Sequence, residues 1–168
     1  MPSDHEAAIR QELISALKGG NAHATFEEVV ADFPAHLRAE KGGAEKAGLP
    51  YSAWQLLEHI RLAQDDILRF CTNEDGSYRE LKFPDDYWPK AAAPPSARAW
   101  EDSVAAVLSD RDAMIQRVGD LRHNLVAPFS WGDGQNLLRE AILIVDHTSY
   151  HVGELLALRR LLGIWPVH

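Results

Sequence analysis

The sequence predicts an all-α protein, a four-helix bundle, up-down-down-up, with a short extra N-terminal helix. Three observations carry this reading. Apolar residues recur at helical spacing throughout, as in Ile9, Leu13 and Leu17. Three segments open on capping-box patterns, Ser3-Asp4-His5-Glu6, Thr25-Phe26-Glu27-Glu28 and Ser52-Ala53-Trp54-Gln55, in which two side chains satisfy free backbone N–H groups. Pro and Gly gather between the periodic segments rather than within them.

The first helix begins after Ser3 and ends at Gly19 and Gly20, which suit a helix C-terminus. The second opens at Thr25 and carries Phe26, Val29, Val30, Phe33 and Leu37 as its apolar stripe, with Pro34 expected to kink or divide it. After a turn-rich stretch from Gly42 to Pro50, Ser52 caps a third helix that runs to about Cys71. Pro84, Pro89, Pro94 and Pro95 then mark a long irregular crossover. Ser96 is the expected cap of the next helix, which runs to about Asp120 on Trp100, Val104, Val107, Leu108, Met114 and Val118. A loop with Pro128, Gly132 and Gly134 leads to the last helix, about Asn136 to Leu162. Arg159 and Arg160 suit its negative end, Gly163 is the expected C-cap, and Pro166 blocks continuation. The long crossover lets the two helices it joins point the same way, hence the expected up-down-down-up order.

A length of 168 residues fits one domain, 1–168, with a full core. The composition is that of a globular protein, 46% apolar and 25% charged. A formal net charge of -8, with no basic stripe, argues against nucleic acid, which requires a cationic surface. The single cysteine, Cys71, cannot form an internal disulfide and fits a reducing compartment. The start, MPSDHEAAIR, lacks the basic and apolar regions of a signal peptide, and no window holds 18 uninterrupted apolar residues. A cytoplasmic protein without a membrane span is expected.

His147 and His151 stand four residues apart on the last helix, roughly 40° apart around its axis, so both imidazoles can reach one point. Their face also carries Leu143, Ile144, Thr148, Leu155 and Leu158, and therefore packs inward. His59 holds a similar position on the third helix, sharing a face with Leu56, Ala63, Asp66 and Phe70. Buried ring nitrogens need partners, and a divalent ion satisfies several at once. Three imidazoles with an open position describe a catalytic site more than a closed structural one, and without a thiolate ligand Zn²⁺, Ni²⁺ and Fe²⁺ all suit. Spacing alone also admits buried histidines satisfied by hydrogen bonds.

The stretch Asp146-His147-Thr148-Ser149-Tyr150-His151-Val152-Gly153-Glu154, followed by Leu158-Arg159-Arg160-Leu161-Leu162-Gly163-Ile164-Trp165-Pro166, resembles the C-terminal helix of the DinB/YfiT-like superfamily. Leu49-Pro50-Tyr51-Ser52-Ala53-Trp54-Gln55-Leu56-Leu57-Glu58-His59 resembles that superfamily's second helix. Ala22-His23-Ala24-Thr25-Phe26 and Tyr87-Trp88-Pro89 are similar to one bacterial subgroup. The resemblance covers about Ile9 to Pro166. It implies an up-down-down-up bundle with a metal on His59, His147 and His151. It also implies a thiol-dependent S-transferase as the enzyme class, acting on a small-molecule substrate with a low-molecular-weight thiol such as bacillithiol or mycothiol. A metal-dependent hydrolase is the alternative within the enzyme class, and a non-catalytic metal- or small-ligand-binding bundle the alternative outside it. A bundle of this size is also compatible with a homodimer.

Glu154, three residues after His151, is a candidate for orienting an imidazole or for a general base, against a plain rim position. Asp66 lies on the His59 face and is expected to pair with a cation elsewhere rather than line a pocket. Asp146 points away from His147 and is expected at the surface. His23 reads as a local structural residue, His5, His36, His123 and His168 as surface or loop residues, Cys71 as packing, and the five Trp as core and loop anchors.

Overall fold

Five α-helices form in the computed structural model, which describes residues 4–43 and 48–165. They are α1 (Asp4–Lys18), α2 (Phe26–Val30), α3 (Ala53–Cys71), α4 (Ala99–Gly119) and α5 (Leu137–Leu161), with one 3₁₀ turn at Ala35–Leu37. No strand forms among the described residues. Ser3, Pro166 and His168 lie outside them, so the first expected capping box and the stop after α5 do not figure below.

The short helix is the second, not the first. The helix expected over residues 25–37 stops at Val30, and Asp32 follows at a φ of 49°, although Phe33 and Leu37 still pack in the core. Pro34 lacks an N–H to continue a helical ladder, and only the 3₁₀ turn follows. Helix α1, at 15 residues, is instead a long element that packs against α4 and α5. Its inward face also differs from expectation. Ile9 is exposed, whereas Arg10, Leu13 and Leu17 are buried. Arg10 donates to the carbonyls of Val118, Asp120 and His123, satisfying main-chain acceptors that the end of α4 leaves free.

Helix α3 is the hub, packing on both α4 and α5. Its capping box forms as predicted, with the Ser52 hydroxyl accepting from Gln55 N–H and the Gln55 side chain accepting from Ser52 N–H. Helix α5 is capped by Asn136, whose side chain accepts from Arg139 N–H, and it ends before Gly163, which takes a φ of 71°. Helix α4 begins at Ala99 behind Arg98, with no side-chain cap, so Ser96 does not fill the expected role. Arg159 turns from its own helix end to the carbonyls of Val29, Ala31 and Ile164, pinning α2 to α5.

Two apolar clusters make up the core. One joins α2 to the first half of α3, the start of α4 and the end of α5, around Phe33, Leu57, Ile60, Trp100, Leu155 and Leu158. The other joins α1 to the end of α3, the end of α4 and the start of α5, around Leu13, Cys71, Met114, Val118 and Leu137. Cys71 is fully buried, as expected for packing, and burial pushes its thiol up to about 12.

The crossover between α3 and α4 is irregular but firmly seated. It runs back along α3, opposite in direction to the helix. The Ser52 hydroxyl donates to the Ala92 carbonyl at 2.6 Å, and the Gln55 amide donates to the Pro89 carbonyl at 3.0 Å. Further along, His59 meets the Tyr87 carbonyl, and Asp66 accepts from the hydroxyls of Tyr87 and Tyr78. These α3 positions are three, four and seven residues apart, which keeps them on one face.

Ser52 therefore has two tasks, capping α3 and holding the crossover, whereas Asn136 mainly caps. Ser52→Ala is expected to cost about 1–3 kcal/mol in urea unfolding, more than Asn136→Ala at about 1 kcal/mol. Equal losses would show that the crossover is not held through Ser52.

Candidate metal centre

The bundle brings His59 of α3 together with His147 and His151 of α5. Their ring centroids form a nearly equilateral triangle, with sides of 4.7, 4.6 and 4.5 Å. One ring nitrogen from each lies within 4.8 Å of the others, and the group could hold a metal ion. His59 and His151 are buried and His147 is half-buried.

The hydrogen bonds fix which nitrogens face the centre. His59 Nδ1 lies 2.9 Å from the Tyr87 carbonyl oxygen. A carbonyl only accepts, so Nδ1 carries the proton and Nε2 presents a lone pair. His151 Nδ1 lies 2.7 Å from Glu154 Oε2, so by the same reasoning its Nε2 is the free donor atom. An imidazole whose far N–H is held by a carbonyl or carboxylate is the usual form of a metal-ligating histidine. His147 Nε2 stands 3.0 Å from His59 Nε2. Without an ion that contact requires His147 to donate its Nε2 proton to His59. With an ion the proton moves to Nδ1 and three lone pairs converge. Two nitrogens bound tetrahedrally at about 2.0–2.1 Å from one ion stand roughly 3.3 Å apart, and the His59–His147 pair, at 3.0 Å, is already near that spacing.

Electrostatics favour the neutral rings such a site needs. Burial lowers all three histidine pKa values. For His147 and His151 they fall to about 4, with neighbouring imidazoles lowering them further. The His151–Glu154 contact is therefore a hydrogen bond from a neutral ring to an acceptor. Burial raises the Glu154 carboxyl above its ordinary value, opposed by attraction to His59.

A cavity of about 510 Å³ opens over the triad. Its walls include Tyr51, Phe83, Trp88 and Tyr150, with Ala63, Ile67 and Leu143 between them. Trp88 stacks on His59 with ring centroids 3.7 Å apart and planes at 9°, and also on Tyr51 at 3.7 Å. Tyr150 meets His151 edge to face.

Asp66 departs from expectation. It lines this cavity, and its oxygens take the hydroxyls of Tyr87 and Tyr78, at 2.6 and 3.1 Å, rather than a cation. Burial and Asp66 together raise both tyrosine pKa values, so the phenols stay protonated. Glu154 accepts from His151 and also lines the cavity. Asp146 is exposed, as expected. His5, His23 and His36 are exposed and His123 is half-exposed, all outside the triad. Of the five Trp, four anchor core or loops as expected, and Trp88 instead packs on a candidate ligand. The aromatic walls were missed by helical periodicity because Phe83, Tyr87 and Trp88 sit in irregular chain. Their concentration in a Pro-rich crossover was the available signal.

Comparisons of the chain with protein-family models, curated proteins and solved structures gave no match.

The lowered histidine pKa values set a pH dependence for the metal-free protein. Unfolded chains bind these protons near pH 6.5, while the folded site holds His147 and His151 neutral down to about 4. Between those values the unfolded state binds more protons, so stability falls as pH falls. Melting temperature in chelator should drop across this window, and His147→Asn should flatten the drop. An unchanged slope in the variant would contradict the assignment.

Proposed function

We propose that this chain is a divalent-metal-dependent enzyme of the DinB/YfiT-like type, with His59, His147 and His151 as the metal ligands. The observation that carries the reading is the pair of tautomers fixed by Tyr87 and Glu154, which leave the Nε2 atoms of His59 and His151 unprotonated in a group compact enough to hold one ion. The course of the cores supports an up-down-down-up bundle. Trp54 and Trp100 share one end, which suits α3 and α4 running parallel, while Leu13 and Leu17 meet both the start of α5 and the end of α4.

An enzyme is favoured over a closed binding site because the triad faces a cavity rather than a fourth protein ligand. Glu154 is committed to His151, and the grouped ligands among the described residues are the three histidines alone. Zn²⁺, Ni²⁺ and Fe²⁺ all suit three imidazoles. A bound ion would supply Lewis acidity and favour the anionic form of a water or thiol beside it. The chain's own residues would do the rest. Trp88 and Tyr87 hold His59 in place, Glu154 holds His151, and the aromatic walls screen the floor of the cavity from water. We favour thiol-dependent S-transfer on the sequence resemblance, with hydrolysis as the second reading. Glu154, its pKa raised by burial, is the candidate proton acceptor.

Tag-free protein is expected to hold about one divalent ion per chain by elemental analysis after reconstitution. His151→Ala should lose that ion and lower the melting temperature of the loaded protein while leaving the metal-free form little changed. Equal losses in both forms would make His151 a packing residue. A screen of loaded protein against small thiols with electrophilic acceptors would then test transfer.

A further inference from the structure

The cavity over the triad has an uneven charge distribution that its walls do not balance. Its floor is the three imidazoles, and its sides are the rings of Tyr51, Trp88, Phe83 and Tyr150. Phe83 and Tyr150 are 77% and 66% exposed, so these two rings stand at an open rim. The walls carry two carboxylates, Glu154, which is bonded to His151, and Asp66, which takes only the two tyrosine hydroxyls. No lysine or arginine is among the residues lining this cavity.

Asp66 has acceptor capacity to spare. A carboxylate offers about four lone-pair sites, and the two tyrosine hydroxyls occupy one on each oxygen. Neither hydroxyl carries a compensating charge. A second cavity of about 320 Å³ continues beyond Asp66, sharing Asp66, Ile67 and Leu143 with the first. It adds Glu80, Asp133 and Glu140 against one cation, Arg139, which is already paired with Glu140. The field along this path away from the triad is therefore negative, and a net charge of -8 reinforces it.

We infer that the cavity selects a ligand with a metal-binding donor at one end, an aromatic or apolar middle, and an ammonium group that meets Asp66 at the other. The inference rests on the metal reading above and narrows its substrate class. The rings supply flat apolar contact and favourable faces for a cation, and Asp66 supplies the counter-charge. Ligands ending in a carboxylate or phosphate would place an anion beside Asp66 with no cation to offset it, and are selected against.

The test uses zinc-loaded protein and three thiols that share a para-mercaptobenzyl frame and differ in the group it carries, para-mercaptobenzylamine, para-mercaptobenzyl alcohol and para-mercaptophenylacetate. Dissociation constants are measured by calorimetry at neutral pH, with zinc content determined on the same samples. The amine is expected to bind at least about tenfold tighter than the carboxylate, with the alcohol between them. In Asp66→Asn, checked for folding by circular dichroism, the gap should shrink to within about threefold. With zinc bound, a carboxylate that binds as tightly as the amine in the wild-type protein overturns the inference and leaves the metal reading standing. So does a gap unchanged in the folded variant. Protein that retains no zinc overturns both. The wild-type series decides the matter even if the variant does not fold.

Discussion

The site depends on one physical constraint, the seating of an irregular crossover along a single face of α3. Ser52, Gln55, His59 and Asp66 share that face, and each takes a partner from the crossover. Tyr87 is the key residue of the set. Its main chain accepts from His59, and its hydroxyl donates to Asp66. One residue therefore fixes a candidate metal ligand and a cavity wall together. Trp88, next in sequence, closes over the His59 ring. Without this seating the α5 histidines would face a partner ring with no fixed tautomer and no roof.

The helices were legible where local chemistry decides them. The capping boxes at Thr25 and Ser52 each mark a helix start to the residue, because a side chain satisfying a free N–H is a local event. Reading failed where tertiary contacts decide. Ile9 fits an apolar stripe as well as Leu13 does, yet α1 turns Arg10 inward because the end of α4 offers carbonyls to bond. The second helix was overextended because its apolar positions continue past Val30, although Asp32 and Pro34 redirect the chain.

The triad was legible for a similar reason. Spacing on α5 puts two imidazoles on one side and an inward face on α3 offers a third, the family resemblance singles out His59 as that third, and the three rings do lie together. Its surroundings were not legible, since a crossover has no period from which to read direction. Asp66 shows the limit clearly. Its helical position was correct, but its partners come from Tyr78 and Tyr87, 12 and 21 residues later in a segment without regular structure.

Burial links the cost of the site to its use. Desolvation that lowers the histidine pKa values makes the folded chain less stable in acid. The same desolvation keeps protons from competing for the ring nitrogens at neutral pH, where a cation would need them. A bundle core selected for stability alone would fill this space with aliphatic side chains, as the two flanking clusters do. Three neutral imidazoles between those clusters, two of them with the outer nitrogen already bonded, hold one another only by the contact between His147 and His59 Nε2. An ion could take the place of that contact, and this exchange, set beneath an open aromatic cavity, is the physical reason for reading this region as a candidate metal centre rather than as part of the core.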